Sequence, residues 1–584
     1  MRAPDTISLY DQFARGWRGF ALIALIGLVS SQFGAGRIPV IDTDEARFAQ
    51  ATRQMVETGD YTEIRLQDEA RNKKPIGVHW LQAASVQLLE PFSGRRNAVW
   101  PYRLPSALGI VLAAMATLWG GAALIGQRPA FFGAGLFAAG MLAGFQGMLA
   151  TTDALLLGFT TAALAALARL RAPPEADARF GPRAVSLVFW TALGCGVMIK
   201  GPVTPLVVGL TLLALAGWER RAAWMKPLLW WPGPALALLI VLPWTIAIWL
   251  RTDGQFFHDM LFLDIAPKLL GGHEGHFALP GFHTFLLPFL IFPATYALPA
   301  AARIIWDGVR APRGDEAHAG VRFLLAWAVP TLIFFELAPT KLPHYALPVY
   351  PAIALLCGAG LAAMHGRRWR STHPAGLVLF AVSGLVIVTL MAASATFMPG
   401  DGAADFRRAV STALIGLGIV GAAFTGLIML HRPVARAAVL VMCALALSFS
   451  LRERLLPEAR SLFVSNEATA ALTRARLTPR DDRPLWVVGY SEPSLIFLTR
   501  TSIRLAEPAE ASAQAQTGDA MIVEGRLLQT MASELAVRGL IFASAEPPVR
   551  GFTLGRGERV ALFVGEISEA AALSEAADAP PQSP

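Results

Sequence analysis

Charged side chains are scarce in this sequence of 584 residues, of which only 16% are Asp, Glu, Lys or Arg. Soluble globular proteins carry about 25% charged residues. Here 54% of the residues are hydrophobic and the mean hydropathy is +0.48. This composition argues against a purely soluble multidomain protein and predicts a chain that crosses a membrane several times.

Cysteine and lysine are also rare. The three cysteines, Cys195, Cys357 and Cys443, are odd in number and lie inside apolar runs, so no disulfide framework is indicated. Lysine occurs 6 times against 44 arginines, which makes the position of each lysine informative. The net charge of +8 is unevenly spread, with −3 on residues 452–584 and +11 on residues 1–451.

Thirteen apolar runs approach the roughly 17–25 residues that a membrane-spanning helix needs. The first follows Arg2, Arg15 and Arg18 and predicts a signal anchor rather than a cleaved signal peptide. The runs lie near residues 19–36, 104–126, 130–149, 153–168, 184–199, 201–217, 228–250, 281–302, 323–338, 343–364, 375–398, 409–430 and 434–451.

Arginine-rich loops alternate with arginine-poor ones along the chain, and short basic loops stay in the cytoplasm. This rule places the N-terminus inside, and an odd number of spans then places the C-terminal segment outside. The expected location is the bacterial inner membrane, with the C-terminal segment in the periplasm.

The chain divides into a transmembrane module, residues 1–451, with a long outer loop at 37–103, and an outer segment. In that segment, Leu485–Tyr490, Ala520–Val523 and Val560–Val564 predict short strands and Gly525–Val537 a helix. We therefore expect a small α/β domain over 452–570 and, from its Ala/Pro-rich composition, a disordered tail over 571–584.

The outer loop opens with DTDEARFAQATRQMVETGDY, in which Phe48, Thr52, Met55 and Val56 recur at helical spacing before Gly59. This pattern predicts an amphipathic helix on the outer membrane surface. Asp42, Asp44 and Glu45 stand at its start, where the helix dipole favours carboxylates. Simple capping by Asp42 or Asp44 is the alternative to a functional role.

Five of the six lysines fall in predicted outer loops or at outer helix ends, against the positive-inside tendency. Ammonium groups there suit an anionic head group such as a lipid phosphate, although snorkelling at helix ends would also explain individual lysines. These lysines are Lys73, Lys74, Lys200, Lys268 and Lys341.

Other polar residues are predicted to share this face. Asp153 stands at a tight bend, where it is either functional or an N-cap. His273, Glu274 and His276 could ligate a metal, or be ordinary loop residues. Non-helical backbone in the proline-rich KLPHYALPVYP is tolerated at membrane depth only where it lines a cavity. A polar cavity at the outer face is therefore expected.

The ordered motifs DTDEARFAQATRQMVETGDY, KKPIGVHWLQA, RLPSALG, TTDALLL, KGP and KLPHYALPVYPAIALL span about residues 15–365. Together they resemble the bacterial membrane glycosyltransferases that include the aminoarabinose transferase of lipid A. These enzymes are relatives of the protein O-mannosyltransferases and share the type-C glycosyltransferase fold. The resemblance implies thirteen spans, a periplasmic C-terminal domain and a polyprenyl-phosphate sugar as donor.

The resemblance also implies roles for single residues. The family's acidic pair corresponds to Asp44 and Glu45, its loop lysine to Lys74, and a basic residue before its histidine loop to Lys268. Where the family commonly has a glutamate before the loop lysine, this chain has Lys73. This departure weakens the expectation of a metal, so a divalent ion stays only an option.

The expected mechanism uses Asp44 and Glu45 as catalytic residues, with Asp44 as general base. The donor phosphate is assigned to the basic residues Arg47, Lys74, Lys268 and Lys341 with Tyr345, and acceptor or sugar positioning to Asp153, Lys200 and His276. The acceptor, a lipid, glycan or protein, stays open. Membrane lipids are expected partners and nucleic acid is not. A flippase of lipid-linked sugars and a non-catalytic assembly subunit are the alternatives.

Overall fold

The structure is a computed structural model that describes residues 16–42, 44–172, 181–271, 277–364, 372–397, 402–555 and 557–570. Within these residues, apolar sequence forms the helices of a membrane module that ends near residue 451. Its main helices are Gly16–Gln32, Trp100–Ile125, Gln127–Ala138, Met141–Gly147, Asp153–Arg171, Pro182–Lys200, Val203–Glu219, Pro232–Thr252, Phe282–Leu290, Leu298–Arg310, Ala319–Leu337, Tyr350–Ala363, Thr372–Ala393, Gly402–Met429 and Pro433–Ser450.

Each of the thirteen predicted apolar runs coincides with one of these helices or with a bent pair of them. In the described part of the chain, nine helices are long and apolar enough to cross a membrane, or up to eleven if each bent pair is one span. Two more, Val203–Glu219 and Leu347–Ala363, are apolar but shorter. A polytopic helical protein is confirmed, whereas the number thirteen stays a prediction.

The helix Asp153–Arg171 lies at the centre of the module, with 78% of its most apolar stretch buried. It packs closely on Trp100–Ile125 because glycines remove the side chains between them. A Cβ on Gly109 would stand 2.5 Å from the Ala154 carbonyl oxygen, and one on Gly158 would stand 2.7 Å from that of Gly109. This contact fixes the end of the helix that carries Asp153.

The outer loop folds into two helices joined by a short hairpin. The first, which we call the outer helix, is Asp44–Thr58 and ends before Gly59, whose φ of 72° is suited to glycine. Strands β1 (Arg65–Leu66) and β2 (Glu69–Ala70) form the hairpin, and the helix Gly77–Ser93 follows a coil. The outer helix exists as predicted, and nine of its fifteen residues are buried by protein.

The C-terminal segment forms a six-stranded mixed sheet in the order β4-β3-β5-β8-β6, with β7 paired to β8. The strands are β3 (Leu485–Val488), β4 (Arg504–Ala506), β5 (Ala520–Glu524), β6 (Leu540–Ser544), β7 (Val549–Phe552) and β8 (Arg559–Glu569), with helices Val464–Arg474, Pro493–Leu498, Pro508–Gln514 and Leu528–Ala536. Strands β3, β4 and β5 are parallel. The three predicted strands are confirmed, and the predicted tail lies outside the described residues.

The C-terminal domain packs on the outer helix through the short helix Pro493–Leu498, which we call the docking helix. Arg53 Nη1 donates to the Phe497 carbonyl at 2.6 Å, and Gln50 Nε2 donates to Thr501 Oγ1 at 2.9 Å. The backbone N–H of Ser494 donates to Asp42 Oδ1 at 3.0 Å. Asp42 therefore joins the two parts of the protein, two residues before Asp44.

Candidate active site

Asp44 lies at the first turn of the outer helix with its side chain 50% exposed. Partial enclosure by protein would raise the pKa of this carboxyl, but the charges of Lys74, Arg71 and Arg47 outweigh that effect and lower the pKa below its ordinary value. Arg47 Nη1 stands 3.8 Å from Asp44 Oδ1. Asp44 is thus an accessible carboxylate, ionised at neutral pH and surrounded by cations.

Lys74 lies in the coil before Gly77–Ser93 and faces the same group of charges. Its ammonium stands 5.3 Å from the centre of the Phe48 ring, and the Arg71 guanidinium stands 5.2 Å from that ring. Burial, together with Lys200 and Lys268, lowers the pKa of Lys74 to about 8, although Asp44 and Asp153 act in the opposite direction. Lys74 is therefore charged at neutral pH and loses its proton in mild alkali.

A second polar group forms where the central helix begins. Lys200 Nζ donates to Asp153 Oδ1 at 2.6 Å, and His344 Nε2 stands 3.8 Å from Asp153 Oδ2. The Lys200 ammonium lies 5.5 Å from the centre of the Tyr345 ring. Three separate motifs, TTDALLL, KGP and KLPHYALPVYP, thus meet around Asp153.

Lys268 adds a fifth cation to this group of charges. Its ammonium donates to Asp264 Oδ1 at 2.6 Å on the same short helical segment, and it lies near enough to Lys74 to influence the pKa of that lysine. Arg47, Arg71, Lys74, Lys200 and Lys268 give five cations against the three carboxylates Asp44, Asp153 and Asp264. The excess of positive charge suits an anion such as a phosphate.

Glu45 lies beside Asp44 in sequence but points into the protein and is 2% exposed. Its Oε1 accepts from Arg103 Nε and the Ala150 N–H, and its Oε2 accepts from Arg103 Nη2 and the Ile41 N–H, all at 2.8 Å. With both oxygens occupied, Glu45 has no lone pair directed at a substrate. We therefore assign it the role of anchoring the outer helix in place of the expected catalytic role.

Lys341 also differs from its expected role. It is 4% exposed, and its ammonium donates to the carbonyls of Ala338 at 2.6 Å and Ala278 at 2.8 Å. These bonds satisfy carbonyl groups at the end of the helix Ala319–Leu337 and in a neighbouring loop. We therefore assign Lys341 to loop positioning rather than to the donor phosphate.

Two residues of this group were not anticipated from the sequence. Arg71 is one of 44 arginines, so the presence of an arginine there was not informative. Its position three residues before Lys74 was the available indication. His344 stands inside the motif that supplied Lys341 and Tyr345. The candidate metal ligands His273, Glu274 and His276 lie outside the described residues, and the residues that the structure does describe contain no group of three His, Cys, Asp or Glu side chains suited to a metal.

Known proteins share both sequence and fold with this chain. Residues 73–249 match the family model described as dolichyl-phosphate-mannose-protein mannosyltransferase. The crystal structure of ArnT from Cupriavidus metallidurans bound to undecaprenyl phosphate superimposes with a TM-score of 0.73 at 20% identity, covering 93% of this chain and 97% of that one. The chain has the type-C glycosyltransferase fold. The resemblance drawn from the motifs is confirmed.

Curated relatives are named undecaprenyl phosphate-alpha-4-amino-4-deoxy-L-arabinose arabinosyl transferase. The protein of that name from Pectobacterium atrosepticum is 29% identical over 377 residues, which are 62% of this chain and 63% of the relative. That from Enterobacter sp. is 29% identical over 346 residues, 58% of this chain and 57% of the relative. The aligned part of the chain thus spans less than two thirds of these relatives.

Proposed function

We propose that the protein is an integral membrane glycosyltransferase that moves a sugar from a polyprenyl-phosphate donor to a hydroxyl or phosphate acceptor. The observation that carries the proposal is the exposed, ionised carboxylate of Asp44 beside the cations Lys74, Arg71 and Arg47. Transfer from a phosphate-linked sugar needs both an acceptor-activating base and a cationic site for the leaving phosphate. This arrangement supplies both.

The reaction follows from that geometry when the acceptor is a hydroxyl. Its oxygen forms a bond to the anomeric carbon, and the bond from that carbon to the phosphate oxygen breaks. Asp44 receives the hydroxyl proton, while Lys74 and its neighbouring cations stabilise the charge that develops on the departing lipid phosphate. The Lys200–Asp153–His344 group, with Tyr345, holds the sugar or acceptor hydroxyls.

The donor and the side of the membrane belong to the same proposal. Curated relatives carry undecaprenyl phosphate in their names, and a protein of the same fold was crystallised with that lipid phosphate. The positions of the loop arginines support a site on the periplasmic side of the inner membrane. The named relatives are transferases, which lends no support to the flippase alternative.

The test is transfer by the purified protein in detergent, with a synthetic polyprenyl-phosphate sugar and a membrane-lipid extract as acceptor source. We expect Asp44→Asn to lower the rate by about 10²–10⁴-fold, the usual contribution of general acid–base catalysis. The matched control is Asp68→Asn, which removes an exposed carboxylate in the β1–β2 turn of the same loop. Its rate should equal that of the wild type.

Two results would contradict the proposal. Near-wild-type transfer by Asp44→Asn would remove Asp44 from the chemistry. Movement of the lipid-linked sugar across a liposome membrane by wild-type protein, without covalent transfer to any acceptor, would establish the flippase instead.

A further inference from the structure

The C-terminal domain contains an open cavity that the proposed transfer reaction does not use. Its volume is about 560 Å³, within the roughly 300–1,000 Å³ typical of small-ligand sites. It is lined by residues that follow β3 and β4 and by the end of β5, among them Gly489, Ser491, Glu507, Glu524 and Arg526. A smaller cavity shares several of these residues and extends the same recess.

The position of the cavity in the sheet is typical of a binding site. From the carboxyl end of β3 the chain crosses to β4 on one side through the docking helix, and from the carboxyl end of β5 it crosses towards β6 on the other side through Leu528–Ala536. The connections therefore diverge at the carboxyl ends of β3 and β5. Open α/β sheets bind their ligands at such a point of divergence.

Glu524 supplies a buried polar group on the wall of this cavity. The residue is 4% exposed, and its Oε1 accepts from Arg526 Nε at 2.5 Å. Its Oε2 makes no hydrogen bond with the residues that the structure describes, so it can accept a hydrogen bond from a ligand in the cavity.

Gly489 leaves that oxygen accessible. Its φ of 82° suits glycine, and a Cβ at this position would stand 3.1 Å from Glu524 Oε2. Any larger residue would cover the carboxylate. Gly489 and Glu524 therefore together present a hydrogen-bond-accepting oxygen to the cavity.

The charges of the cavity indicate the class of ligand. Three carboxylates, Glu507, Glu510 and Glu524, face one guanidinium, Arg526. A phosphate or carboxylate ligand is disfavoured by this excess of negative charge. Carboxylate oxygens accept hydrogen bonds from hydroxyl groups, and a guanidinium donates hydrogen bonds to hydroxyl oxygens. These side chains therefore suit a neutral, hydroxyl-rich molecule.

We propose that this cavity binds a neutral sugar unit of the acceptor, an inference that rests on the proposed glycosyl transfer. The loop that borders it runs from Gly489 directly into the docking helix. In that helix the N–H of Ser494 donates to Asp42, two residues before Asp44. The docking helix therefore connects a cavity that holds an acceptor glycan to the segment that precedes the outer helix.

The test is saturation-transfer difference NMR on the full chain in detergent, without donor. The probes are the methyl α-glycosides of glucose, mannose and galactose, with glucose 6-phosphate as the anionic comparison. We expect at least one neutral glycoside to give a signal. Glu524→Gln should lower it at least 5-fold, and Ser491→Trp, which fills the cavity from an exposed position, should abolish it. Glu534→Gln, on a helix that does not line the cavity, should retain it.

Three results would overturn the proposal: no signal from any neutral glycoside, a signal that survives both cavity variants, or a glucose 6-phosphate signal that Ser491→Trp removes. Asp44→Asn should bind the neutral glycoside like the wild type. A wild-type protein that binds glycosides but transfers no sugar would therefore contradict only the proposed function. Loss of glycoside binding alone would contradict only the cavity assignment.

Discussion

Raising the pH from 7 to 9 should remove most of the affinity of the free protein for its anionic donor, because Lys74 loses its proton in that interval. Its pKa is lowered to about 8, first by burial and then by Lys200 and Lys268. With that value the side chain is about nine-tenths protonated at pH 7 and about one-tenth protonated at pH 9. The positive charge that we propose binds the donor phosphate is present below the pKa and lost above it.

The expected magnitude follows directly. If Lys74 must be charged to bind the donor, kcat/KM falls about tenfold between pH 7 and pH 9, because this quantity reports ionisations of the free enzyme. The donor, a phosphodiester, keeps its single charge over the range. The pKa of Asp44 is lowered, so its carboxylate also stays ionised. The alkaline decrease is thereby assigned to the lysine.

Lys74→Arg provides the decisive comparison in the same transfer assay. A guanidinium keeps its proton throughout this range, so the decrease between pH 7 and pH 9 should disappear even if the rate at pH 7 is reduced. Lys74→Met should be slow at every pH. An alkaline decrease of unchanged midpoint in Lys74→Arg would refute the reasoning and assign the ionisation to another group.

Three further predictions concern residues around the site. Glu45→Gln should destabilise the protein by about 3–5 kcal/mol, because it removes one partner of the buried ion pair with Arg103. An unchanged thermal unfolding midpoint in detergent would contradict the anchoring role of Glu45. Lys341→Met should lower that midpoint and leave donor affinity, measured by lipid-phosphate titration, unchanged; a loss of affinity with normal stability would restore the phosphate-binding role. Asp153→Asn and Lys200→Met should be non-additive in kcat/KM, with a coupling of about 0.5–3 kcal/mol; strict additivity would show that their 2.6 Å contact has no functional role.

The membrane architecture could be read from the sequence because it depends on local composition. An apolar run of sufficient length forms a helix in a bilayer whatever its neighbours are, and all thirteen runs coincide with helices or bent helix pairs. The outer helix and its end at Gly59 followed from spacing and from the need for a left-handed residue. Three strands of the C-terminal domain followed from their short apolar runs. These features are encoded over 5 to 25 neighbouring residues, roughly the length of one element.

The roles of single polar residues depend on contacts between distant parts of the chain. Asp44 and Glu45 are adjacent, but successive helix residues point about 100° apart, so one faces the cations while the other meets Arg103, 58 positions later. Lys341 and Lys74 look equivalent as outer-face lysines, yet Lys341 donates to a carbonyl 63 positions away. Neither difference can be recognised from the neighbouring residues in the sequence. The sequence pattern therefore determined the helices and the types of residue in the outer loops. Long-range packing determined which carboxylate and which lysines lie in the proposed site.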